Sequence, residues 1–263
     1  VLVATLALVS ATRAANYVPA VGIETWTLRN MNFDQMVEFC ASRQITNLAV
    51  IDKHIDPFGP AEETKRKMAI LEKNGLRVYT FGVARTSKDK EQNRKLFEFA
   101  KLVGAKVILV EPGDLSIWDN LEELVKEYDI KLAVHNHGIT STYGNPETVK
   151  KLLNSRDNRI GVCLDVGHVT GAGFDAAKVF REYNGRVWDI HLKDKKVEKK
   201  DGKDVILDVE IGTGQANYKG LFEELKKSNW PGVLAIETDN NEFAGSPDKY
   251  VRGAVDYVKS NFQ

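Results

Sequence analysis

Only two cysteines, Cys40 and Cys163, occur among the 263 residues of this chain. They make no CxxC pair and no disulfide framework, and each lies in an apolar segment as a small buried hydrophobe. Neither sign of charge is in excess: 37 Lys and Arg stand against 37 Asp and Glu. A neutral chain has no whole-molecule field to draw in nucleic acid or an anionic membrane. The basic run Lys193 to Lys203 is broken by Asp194, Glu198 and Asp201 and reads as a solvated loop. No apolar run reaches the roughly 20 residues needed to span a bilayer. There is no low-complexity tract, no domain linker and no Gly-rich fingerprint after the first strand, which argues against a doubly wound dinucleotide fold.

The N-terminus has a character of its own. Val1 to Ala11 is nearly all apolar, and Ala14-Ala15 follows, as in the apolar region and cleavage zone of a secretory leader. Residues 1–15 are therefore expected to be a truncated signal peptide and 16–263 a single exported domain, periplasmic or secreted. If that segment is not a leader, the expected location is cytoplasmic.

What is present is a regular alternation. Strand candidates begin near Val21, Asn47, Arg77, Lys106, Lys131, Ile160, Arg186 and Val233. Amphipathic helices with caps at Asn32, Asn145-Pro146, Asp175, Asn217 and Ser246-Pro247 lie between them. Steps of about 25 to 30 residues suit βα units, and eight of these predict an α/β fold, a single-domain (β/α)8 TIM barrel. The gap from Arg186 to Val233 leaves room for an insertion. Asp201-Gly202, set between Val197 and Val205-Ile206-Leu207, reads there as a hairpin turn standing over the active-site face as a lid or substrate wall.

All five histidines fall at the carboxyl ends of these strands: His54, His135, His137, His168 and His191. Imidazoles gathered on the catalytic rim of a barrel indicate an enzyme. Period two puts His135, Asp165, His191 and Glu237 at the mouth of four neighbouring strands about 4.8 Å apart. Two nitrogens and two carboxylates suit one divalent Mn, Zn, Co, Fe or Ni ion better than Ca or Mg.

The runs Cys163-Leu164-Asp165-Val166-Gly167-His168, His191-Leu192-Lys193-Asp194 and Ile236-Glu237 resemble the signature of the xylose isomerase-like TIM barrels, the sugar phosphate isomerase/epimerase family. Gly22-Ile23 with Leu28-Arg29 resembles its opening, so the similarity runs from about Val21 to Phe262. The resemblance implies a metal-dependent enzyme acting on a small carbohydrate; balanced charge and the short apolar run predict no nucleic-acid partner and no membrane span, and a homo-oligomer stays open. One departure stands out: epimerases of this family carry a glutamate where this chain has His135, in the run His135-Asn136-His137-Gly138. His-x-His at this strand also resembles the inosose dehydratase branch, whose chemistry is elimination.

The expected reaction is sugar isomerisation or epimerisation through an enediolate, with Glu237 or His137 as base. His168, Lys193, Glu111 and His54 are expected to hold substrate oxygens, Glu111 also standing as a replacement carboxylate. Elimination from an inosose or a 3-keto glycoside shares the first half-reaction and is the alternative. A non-catalytic sugar-binding barrel is the third reading.

Overall fold

The computed structural model of the protein describes residues 17–262, so the leader-like segment lies outside the described residues. Eight parallel strands close a barrel: β1 (Ala20–Glu24), β2 (Asn47–Val50), β3 (Arg77–Ala84), β4 (Val107–Val110), β5 (Lys131–His135), β6 (Ile160–Asp165), β7 (Val187–Leu192) and β10 (Val233–Ile236). Each begins within one residue of its predicted start. Of the ten helices among the described residues, α1 (Phe33–Ser42) opens on a capping box. The Asn32 side chain accepts from Gln35 N–H, and the Gln35 side chain accepts from Asn32 N–H. Asn145, Asp175 and Asn217 cap α5 (Pro146–Asn154), α7 (Ala176–Glu182) and α8 (Tyr218–Ser228). The last helix, α10 (Pro247–Phe262), starts at the predicted proline. Among the described residues no helix is long and apolar enough to cross a membrane.

The insertion is the predicted antiparallel hairpin, β8 (Asp194–Lys200) and β9 (Lys203–Val209), turning at Asp201-Gly202. Both turn residues have positive φ, 51° and 75°, as a tight hairpin turn requires. Its root is fastened in two places. The Asp194 carboxylate accepts the N–H groups of Gly212, Gly214 and Ala216. A Cβ on Gly214 would come within 2.2 Å of that carboxylate, which accounts for the glycine. Asp208 accepts both the Asp239 N–H at 2.7 Å and the Lys195 ammonium at 2.6 Å.

Strand register slips at three points, two in β3 and one in β7, and two of these slips shape the barrel interior. The pairing of β2 with β3 skips Tyr79, and the pairing of β6 with β7 skips Trp188. Each bulge adds a residue to one strand and re-aims a side chain. Trp188 turns toward Gly161, where a Cβ would lie 2.2 Å from the indole nitrogen. Tyr79 reaches across from β3 to Asp189 on β7, four strands away. The interior is therefore not filled by small residues alone. Ala133 and Cys163 share it with a tyrosine–carboxylate pair, Tyr79 half-buried and Asp189 buried.

Candidate active site

The ends of β5, β6, β7 and β10 bring His135, Asp165, His191 and Glu237 together, all buried. One ligand atom from each lies within 4.8 Å of the others. His135 Nε2 is 3.2 Å from His191 Nδ1 and 3.6 Å from Asp165 Oδ2, and His191 Nδ1 is 2.5 Å from Glu237 Oε2. Local folding sets each group. Asp165 caps the short helix α6 (Val166–Gly171), its Oδ1 taking the His168 N–H at 2.8 Å, so that Oδ2 is left for the cluster. Register places Asp165 opposite His191 and Cys163 opposite His135.

This arrangement fits a cation. Asp165 Oδ2 and Glu237 Oε2 are buried with no hydrogen bond of good geometry, their close neighbours being the Lys193 ammonium, 3.0 Å from the first, and His191 Nδ1, 2.5 Å from the second. Two imidazole nitrogens 3.2 Å apart share that space, an arrangement costly to bury without a positive partner. Lys193 supplies one positive charge. It is fully buried, with Nζ 3.0 Å from Asp165, 3.1 Å from Glu237 and 3.0 Å from Asp239. Asp239 is shared with the Lys195 ammonium, 3.4 Å away, so Lys193 alone does not balance Asp165 and Glu237 and the cluster keeps the negative charge a divalent ion would complement.

The electrostatics follow from burial and neighbours. Burial lowers the Lys193 ammonium, but Asp165, Glu237 and Asp239 raise it by more, and it stays charged. Burial raises Asp165, yet Lys193 and His168 hold its carboxyl well below the usual range. His135 is pushed down to about 4, by burial above all, and is neutral at pH 7, as a ligand imidazole must be.

A cavity of about 290 Å³ opens above the cluster, walled by His135, His137, His191, Glu237, Glu24 and Trp26, with Asp52, Arg85 and Asp239 at its sides. His137 faces this cavity with Glu111 bonded behind its Nδ1. Burial lowers the His137 pKa, the Glu111 hydrogen bond and charge raise it by more, and the net direction is upward.

None of the four residues expected to hold substrate oxygens lines this cavity. Glu111, His168 and Lys193 stand behind the cavity wall, in contact with wall residues or ligands. His54 is set apart altogether. The chain turns back after β2, with His54 N–H donating to Ile51 carbonyl, and the buried ring bonds the Met31 carbonyl at 3.2 Å. It braces a loop. Glu24, Trp26, Arg85 and Asp239 at the cavity, and Asn136 beside it, belong to no sequence motif. Only Glu24 had a usable signal, the polar end of an otherwise small and apolar first strand.

Fold and site together define a class: a TIM barrel whose strand ends converge two histidines and two carboxylates on one cavity. The chain belongs to the xylose isomerase-like TIM barrel family, whose profile matches residues 27–261. An inosose dehydratase from Clostridium perfringens is 29% identical over 221 residues, 68% of this chain and 74% of that one. An uncharacterised Parabacteroides distasonis protein of known structure is 27% identical, with a TM-score of 0.70 over 92% of this chain and 98% of that one. The structure of IolI protein with a bound zinc atom superposes with a TM-score of 0.73 over 92% of this chain and 98% of that one, at 14% identity.

Proposed function

We propose that this protein is a divalent-metal-dependent enzyme that enolises a keto-sugar and completes the reaction by elimination. The observation that carries the reading is the convergence of four buried ligand atoms, two imidazole nitrogens and two carboxylate oxygens, beneath a cavity lined by His137, which Glu111 backs. His135, Asp165, His191 and Glu237 would hold the ion, which when bound supplies Lewis-acid polarisation of the substrate carbonyl.

The chain's own residues do the rest. His137 Nδ1 is engaged by Glu111, so Nε2 is the nitrogen free to take the proton from the carbon beside the carbonyl. Glu111 fixes that tautomer and stabilises the imidazolium that results, the role a carboxylate plays behind any catalytic histidine. Glu237 is less free to act as base, since Oε1 is paired with Lys193 and Oε2 faces the ligand cluster. Trp26, Asp52 and Arg85 form the side of the cavity that meets the remainder of the sugar.

The motif resemblance leans toward isomerisation or epimerisation. Two things favour elimination: the inosose dehydratases among the relatives, and His135 in place of the family glutamate. A ligated imidazole does not shuttle a proton, which removes one of the two carboxylates of the epimerase mechanism.

The test is incubation of metal-loaded protein with a ketohexose, an inosose and a 3-keto glucoside in deuterated water, read by NMR and mass spectrometry. Loss of water or of the substituent is the expected result. Deuterium beside the carbonyl with the mass otherwise unchanged would return the reading to isomerase or epimerase. No label and no product from any of them would leave a sugar-binding barrel and overturn the proposal.

A further inference from the structure

His191 has two nitrogens in two different surroundings. Nδ1 faces the ligand cluster, 2.5 Å from Glu237 Oε2 and 3.2 Å from His135 Nε2. Nε2 faces down into the barrel, where it is buried and makes no hydrogen bond of its own. A neutral imidazole that offers one nitrogen to a metal must carry its proton on the other. Two carboxylates lie near it: Asp189 Oδ2 at 3.6 Å and Glu24 Oε2 at 3.8 Å.

These two carboxylates are not equivalent. Asp189 is fully buried and does not line the cavity. Its Oδ1 accepts the Ile190 N–H at 3.0 Å and the Tyr79 hydroxyl at 3.0 Å. The Tyr79 hydroxyl also lies 3.2 Å from Oδ2, so these donors fix the carboxylate with Oδ2 set between Tyr79 and His191 Nε2. Glu24 accepts one long bond, from Trp26 N–H at 3.3 Å, and faces the cavity.

We propose that Asp189, held by Tyr79 from the opposite wall of the barrel, is the positioning residue that keeps the proton on His191 Nε2 and the Nδ1 lone pair aimed at the metal cluster. The inference rests on the metal reading above. An outer carboxylate of this kind orients the ring and raises its basicity, and its loss typically costs about 10- to 100-fold in metal affinity. The sequence hides the relation, because Tyr79 and Asp189 lie 110 residues apart and Tyr79 points inward only by virtue of a bulge.

Three proteins test it: wild type, Asp189→Asn and Tyr79→Phe, each compared for zinc affinity by competition with a chromophoric chelator and for the His191 ring protons by 15N-edited NMR. In Asp189→Asn the new side-chain amide offers its N–H toward Nε2 and drives the proton to Nδ1. Affinity is expected to fall about 10- to 100-fold in Asp189→Asn, with a smaller fall in Tyr79→Phe. Wild type should show a slowly exchanging Nε2–H with or without zinc, lost in Asp189→Asn. If Asp189→Asn does not fold, Tyr79→Phe carries the same comparison. A wild-type ring protonated only at Nδ1, or unchanged zinc affinity in folded variants, would overturn the proposal. A wild type that binds no zinc but shows the Nε2–H would sink the metal reading and leave the His191–Asp189 relation standing.

Discussion

The side chain of Asn136 clasps the backbone of Asp165 from both sides: Oδ1 accepts the Asp165 N–H at 3.0 Å, and Nδ2 donates to the Asp165 carbonyl at 3.2 Å. Asn136 directly follows His135, so this clasp ties the ends of β5 and β6 together at the point where each delivers a ligand. Asn136→Ala leaves a buried donor and acceptor unpaired, each costing about 1–3 kcal/mol. A loss of roughly 2 kcal/mol or more in urea unfolding is expected, together with weaker zinc binding. Unchanged stability would show that the strand ends hold themselves.

His191→Ala should lower affinity for zinc or manganese at least tenfold, about 1.4 kcal/mol or more, because the cage loses one donor from the centre of the cluster. Elemental analysis after metal loading and dialysis checks this. No bound metal in the wild type would remove the metal reading altogether.

Lys193→Met removes the ammonium that compensates Asp165, Glu237 and Asp239. Breaking a buried ion pair from one side typically costs about 3–5 kcal/mol. The metal-free variant should melt well below wild type, and added manganese should raise its Tm more than that of wild type. Equal metal-induced shifts would mean that Lys193 and the cation do not share a charge balance.

His137→Asn and Glu111→Gln should separate base from support. The first removes the proton acceptor and should cut turnover about 100-fold or more, while zinc affinity stays near wild type. The second leaves the imidazole in place without its partner and should cost less. Wild-type turnover in His137→Asn would move the base to Glu237. In that case Glu237→Gln would retain metal and lose activity.

His54 makes stability depend on pH. Burial, set against the Met31 carbonyl bond, pushes its pKa down to about 4, while in the unfolded chain it titrates near 6.5. Between these values the unfolded chain binds the extra proton and the folded one does not. The contribution is therefore full above pH 6.5 and is lost as pH falls toward 4. In His54→Gln the drop in unfolding free energy between pH 7 and pH 4.5 should be smaller, by up to about 3 kcal/mol. Identical pH slopes would show that the buried imidazole is not what titrates.

The barrel was readable because its signals are local. Caps at Asn32, Asn145, Asp175 and Asn217, and the Asp201-Gly202 turn, depend on a few neighbouring residues. The gathering of His135, Asp165, His191 and Glu237 was readable because parallel strands deliver their last residues to one rim. What escaped is what alternation does not encode. Tyr79 and Trp188 sit at bulges that reverse their facing. Lys193 is a charged residue in a loop by pattern, yet three carboxylates draw it into the interior. His54 follows a strand like the other histidines, but the chain reverses after β2 and buries the ring on Met31.

The hairpin of β8 and β9 stands on the catalytic face without lining the cavity, bolted at its root by Asp194 and Asp208 and exposed at its tip. Residues can be added or removed at Asp201-Gly202 without passing strain to Asp239 or the cluster behind it, since an exposed tip of polar residues tolerates insertion. That turn is a port in the scaffold, a place where a tag, a fluorophore or a second domain can be spliced in within reach of the active-site mouth while the chemistry below proceeds undisturbed.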